Sequence, residues 1–80
     1  MSHTVHLFAS YADAFGAPSV EVDLPDDATV ADVVAAVTAR PAGTSLPKRP
    51  LVAVNHRYAT PDVRISAGDE IALIPPVAGG

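Results

Sequence analysis

The chain has 80 residues, of which 49% are hydrophobic, and nine acids against five bases give it a net charge of −4. A single domain of this size buries only about two-thirds of its surface, too little for both a core and an enclosed catalytic cleft. The acidic balance excludes a phosphate-binding nucleic-acid surface, and the absence of cysteine excludes disulfides, thiolate metal sites and a cysteine nucleophile.

Residues 1–4 lead straight into strand-like sequence without the basic and apolar regions of a signal peptide, and no apolar run reaches the length of a membrane span. A cytoplasmic protein that does not enter the membrane is expected. Residues 4–9 alternate as a strand, with Val5, Leu7 and Ala9 on one face and His6 and Phe8 on the other. Residues 10–15 predict one short helical turn, capped by Ser10 and ended by Gly16. Residues 19–24 alternate cleanly, with Val20, Val22 and Leu24 inward, and should pair antiparallel with the first strand.

After the turn at residues 25–28, Thr29 and Asp32 have the spacing of a capping box. Val30, Val33, Val34 and Val37 then form one apolar stripe on a helix that ends near Arg40, because Pro41 cannot continue it. Residues 41–50 hold three prolines and a glycine and read as a loop. Residues 51–54 make a short buried strand, 55–57 a turn, and 58–60 a further short strand. Val63 and Ile65 alternate with Arg64 ahead of a turn at 67–69, and residues 70–74 form the last strand, with Ile71 and Leu73 inward and Ala72 and Ile74 outward. One main helix against a mixed, mostly antiparallel sheet makes an α+β layer with one sheet face uncovered. Phe8, Ile74 and Tyr58 are the candidates for an apolar patch on that face.

Pro75 and Pro76 remove two backbone donors, so the last strand stops at Ile74 and the remainder leaves as an extended arm. Gly79 and Gly80 lack Cβ atoms and allow the backbone to pass a narrow channel, with the Gly80 carboxylate as the reactive group. Elsewhere no catalytic constellation is visible. His3 and His6 point to opposite strand faces and no acid stands at ligand spacing beside them, so no metal is expected. The acid pairs at 26–27 and 69–70 sit in turns, and no phosphate-binding glycine loop occurs.

Residues 53–55 (Ala-Val-Asn), residues 67–71 (Ala-Gly-Asp-Glu-Ile), the Pro-Pro-Val-Ala-Gly-Gly end at 75–80, and Leu7-Phe8-Ala9 with Gly16 resemble the molybdopterin synthase small-subunit (MoaD) family of ubiquitin-like, β-grasp sulfur carriers. The likeness covers nearly the whole chain and is most specific in its last third. The chain has Tyr11-Ala12-Asp13 where family members often carry a basic residue followed by Glu. The resemblance implies a single β-grasp domain over residues 1–80, with 75–80 as its tail, that is a sulfur-donating co-substrate rather than a catalyst on its own. In that scheme an adenylyltransferase resembling ubiquitin-activating (E1) enzymes activates Gly80 with ATP, and a sulfur donor such as a cysteine desulfurase or rhodanese displaces AMP to leave a thiocarboxylate. The large subunit of molybdopterin synthase then takes the sulfur to cyclic pyranopterin monophosphate. No cofactor would be bound by the carrier itself. Gly80 with Gly79 would carry the chemistry, and Phe8, Tyr58, Ile74, Pro75, Pro76, Val77 and Ala78 would meet the partners. The same fold also serves carriers for thiamine or cysteine biosynthesis and ubiquitin-like protein modifiers, and Pro76 favours the molybdopterin branch. A binding module with an inert tail is the reading from outside this class.

Overall fold

Val5 and Leu7 of strand β1 (Ser2–Leu7) are 0% and 4% exposed, the two-residue period of a strand packed on one side. The computed structural model describes residues 2–41 and 50–75. After β1 come helix α1 (Ala9–Phe15), β2 (Ser19–Asp23), helix α2 (Val30–Thr38), β3 (Leu51–Val54), β4 (Arg57–Tyr58) and β5 (Ile71–Ile74). The five strands form one sheet in the order β2-β1-β5-β3-β4. The β1–β5 pair is parallel and the other pairs are antiparallel, which makes the mixed sheet expected from the sequence.

The register fixes which side chains share a face. Leu7, Leu73 and Val52 form one cross-strand row, and Val20, Val5, Ile71 and Val54 form the next. Both rows belong to the core, into which α2 sinks Val30, Val33 and Val37. Each buried valine contributes about 1.5–3 kcal/mol, which is how tertiary packing holds a helix made of mediocre helix formers. Val34, at the edge of the stripe, is only partly buried against the same core.

The N-terminus of α2 is closed from two directions. The Asp32 carboxylate accepts the Thr29 backbone N–H at 2.9 Å and its hydroxyl at 3.3 Å, the predicted capping pair. The Val30 and Ala31 N–H groups donate to the carbonyls of Val63 and Pro61 at 2.9 and 3.0 Å, so the 59–65 segment satisfies donors that a helix start leaves open.

Several boundaries differ from those expected. Strand β1 begins at Ser2 and ends at Leu7. Ala9 opens α1 instead of extending the strand, at a φ of +49°. The Phe8 carbonyl accepts the N–H groups of Tyr11 and Ala12, so extended Phe8, not Ser10, is the capping residue and no side chain caps the helix. Gly16 ends α1 in the left-handed conformation as expected, at a φ of +68°. Helix α2 stops at Thr38, short of Arg40: the Thr38 hydroxyl donates to the carbonyls of Val34 and Ala35, and the Arg40 N–H tightens to the Val37 carbonyl. The expected strand at 58–60 is the two-residue β4, whose ladder ends with the Ala59 N–H on the Val52 carbonyl. Tyr11, unassigned by the sequence, is a core residue at 4% exposure.

Candidate functional site

The sheet face away from the two core rows carries a cross-strand row of Ser19, His6, Ala72, Ala53 and Tyr58. Two alanines at its centre leave a shallow floor. Phe8, 51% exposed, and half-buried Ile74 border that floor near the end of β5, and Tyr58, 73% exposed, borders it along the β4 edge. These walls enclose a concavity of about 370 Å³. Its size lies at the low end for small-molecule sites, and it is open along the sheet, so it suits side chains of a second protein better than an enclosed substrate. A larger groove of about 620 Å³ runs between α2 and the β3–β4 edge, bordered by Val34, Leu51 and Pro61.

The opposite end of the concavity is polar. The hairpin between β3 and β4 turns on Asn55 and His56, with φ of +53° and +69°, the positive pair a tight two-residue turn demands. Asn55 tolerates that conformation and uses its amide to join the two hallmark segments of the sequence. Its Nδ2 donates to Asp69 at 3.0 Å, its Oδ1 accepts the Glu70 N–H at 2.9 Å, and its own N–H donates to the Glu70 carbonyl at 2.8 Å. The Asp69 carboxylate also accepts the Ser66 N–H at 2.7 Å. The Ser66 bond first and the Asn55 bond second hold its pKa below the usual carboxylate range. Gly68, at a φ of +86°, supplies the turn before it.

His56 Nε2 lies 2.6 Å from Glu70 Oε2 at the rim of the concavity. An imidazole oriented by a carboxylate needs a nucleophile or a substrate proton to act on. The hydroxyls of Ser2, Thr4, Thr38 and Thr60 bond to carboxylates or carbonyls rather than to an imidazole. Among the described residues no group of three or more His, Asp or Glu side chains is arranged to hold a metal, and no helix is long and apolar enough to cross a membrane.

The structure thus brings Phe8, Tyr58 and Ile74 to one surface, and Pro75 follows directly from it. The expected roles of Pro76, Val77, Ala78, Gly79 and Gly80 fall outside the described residues. Sequence reasoning put His6 on the Phe8 face without counting it in the site, and did not assign His56 or Glu70 to it. The signal for two of them was present, because Glu70 shares strand parity with Ala72 and Ile74, as His6 does with Phe8.

Residues 5–80 match the model of the ThiS family. The molybdopterin synthase sulfur carrier subunit of Dictyostelium discoideum is 37% identical over 78 residues, spanning 92% of this chain and 91% of that protein. Small archaeal modifier protein 1 of Haloferax volcanii is 41% identical over 83 residues, spanning 92% and 95%. The crystal structure of SAMP1 from Haloferax volcanii superimposes with a TM-score of 0.84 at 39% identity, covering all of both chains. A complex of subunits 1 and 2 of the molybdopterin-converting factor from Helicobacter pylori contains the same fold, with a TM-score of 0.72 at 18% identity over 100% of both chains. The architecture is the ubiquitin-like β-grasp.

Proposed function

Because this chain belongs to the ThiS family, we propose that it is a sulfur carrier, the small subunit of a molybdopterin synthase. The observation that carries the reading is the joining of a Gly-Gly terminus to a strand rooted beside an exposed apolar concavity. A carboxylate is a poor electrophile, so an E1-like adenylyltransferase transfers AMP from ATP to the Gly80 carboxylate, with pyrophosphate as the leaving group. The persulfide of a sulfur donor, a desulfurase or rhodanese, then displaces AMP to form an acyl disulfide, and a thiol cleaves its S–S bond, ending as a disulfide with the donor and leaving the terminal thiocarboxylate. The large subunit admits the tail and passes the sulfur to cyclic pyranopterin monophosphate, while Phe8, Tyr58 and Ile74 dock against it. Pro75, Pro76, Val77 and Ala78 would meet the partner as well, and Gly79, without a Cβ, leaves room around Gly80. The subunit pair from Helicobacter pylori is the assembly on which this docking is drawn.

The likeness to small archaeal modifier protein 1 supports a second reading, in which the same activated Gly80 is attacked by an amine of another protein. Both readings share the activation step and differ in the acceptor. Incubation with ATP, an activating enzyme, a sulfur source and cell-extract proteins as candidate targets, followed by intact mass of the chain and of its adducts, separates them. The carrier gains the mass difference between sulfur and oxygen, whereas the modifier appears as a covalent adduct on protein targets. An unchanged mass alongside a demonstrably active enzyme refutes both.

A further inference from the structure

We propose that Glu70 is the residue by which this face selects its protein partner: a partner that takes in the tail presents an arginine or lysine to the Glu70 carboxylate. The proposal rests on the docking reading above and assigns its electrostatic requirement. Among the described residues Glu70 is the only carboxylate that borders the concavity, which otherwise presents Phe8, Ala53, Ala72, Tyr58 and Ile74 with two imidazoles. Its position is set by the backbone, since its N–H and carbonyl both pair with Asn55, while its side chain remains half exposed with His56 as its neighbour.

Geometry places this carboxylate inside the footprint of any partner that reaches the tail. Glu70, the residue just before β5, precedes Ile74 by four positions, about 13 Å at the rise of a strand. A standard interface covers about 800 Å² per partner, a disc of about 16 Å radius. A partner centred on the Ile74 end therefore covers Glu70 as well. Covering an ionised carboxylate without a counter-charge weakens binding, whereas a matched cation turns the same group into a source of specificity and of salt-dependent attraction. The net charge of −4 steers the chain toward a basic partner surface in the same sense.

The test is isothermal titration of the cognate molybdopterin synthase large subunit with wild type, Glu70→Gln, His56→Ala and Ile74→Glu, each at low and high salt. The Gln side chain keeps the shape and the backbone pairing, so the fold is retained. Expected is a roughly tenfold weaker complex for Glu70→Gln at low salt with a shallower salt dependence, and no weakening for His56→Ala. Wild-type affinity and salt dependence in Glu70→Gln, with Ile74→Glu binding abolished, overturns the selection role while the docking face stands. Loss in His56→Ala equal to that in Glu70→Gln overturns it too, because the imidazole would then be the counter-charge. Undiminished binding by Ile74→Glu removes the docking face and the proposal together.

Discussion

Leu73→Ala and Ile74→Glu, adjacent on β5, should have opposite consequences. Leu73 is 0% exposed and sits in the row between Leu7 and Val52. Truncating it removes buried methyl groups and leaves a cavity, a change that costs about 2–5 kcal/mol. An 80-residue domain has a total stability of roughly 4–12 kcal/mol, so a central loss of about 3 kcal/mol consumes a large part of it. At about 4–8 °C per kcal/mol, the melting temperature should fall by roughly 12–24 °C. Ile74 lies opposite Leu51, itself 46% exposed, on the open face. Placing a carboxylate there forfeits a cross-strand contact worth about 0.2–1 kcal/mol and buries no charge, so the melt should move only a few degrees. Binding to the large subunit should nonetheless be lost, since a central apolar anchor is worth about 2 kcal/mol or more, a thirtyfold change. Thermal melts and titration of both variants provide the check. If Ile74→Glu unfolds the chain while Leu73→Ala leaves it intact, the register is displaced by one residue and the proposed face is core.

Tyr11→Phe should stabilise or leave unchanged, by up to about 1 kcal/mol, because the buried hydroxyl has no hydrogen-bond partner among the described residues; a large loss in chemical denaturation would reveal one. Acid stability should depend on Asp69, whose folded pKa is depressed: its contribution is present above the unfolded value of about 3.9 and is lost as pH falls through the folded one. Asp69→Asn should therefore lower the neutral melting temperature and flatten the acid limb of its pH profile, and an unchanged limb refutes the assignment. Gly79→Val, or one residue appended after Gly80, should abolish sulfur transfer while the melt stays at the wild-type value; normal transfer by either variant argues against a threaded tail.

Period-two alternation made the sheet legible. Val5, Leu7, Ile71 and Leu73 are buried as their parity requires, and the same parity puts Phe8 and Ile74 on the other side. The valine stripe and the Thr29–Asp32 pair made α2 legible, because both are local signals of helical spacing. What escaped depends on backbone geometry, on a helix too short to show its pattern, or on contacts distant in sequence. The cap of α1 is decided by the Phe8 carbonyl and not by side-chain chemistry, so Ser10 was a false signal. Tyr11 is buried with Phe15 packed against the same core, an i, i+4 pair that a seven-residue helix is too short to make conspicuous. His56 reaches Glu70 only because Asn55 ties the hairpin to the turn before β5, 15 residues further along the chain.

The position of β5 also bears on what the proposed carrier tail needs. It is flanked by β1 on one side and β3 on the other, so the strand that becomes the tail is held by ladders on both edges. An edge strand held on one side would be the first element to peel when a partner draws in its end, and its free edge would invite pairing with other chains. On this central strand Ile71 and Leu73 anchor the root in the core, while Ala72 and Ile74, with Glu70 just before the strand, border the concavity on the other face. A parallel partner on one edge requires a long crossover between β1 and β5, and the whole of α1 to β4 fills that connection. Stability and the proposed docking thus fall on alternate residues of one strand, so a substitution on the outer face need not disturb the core beneath it.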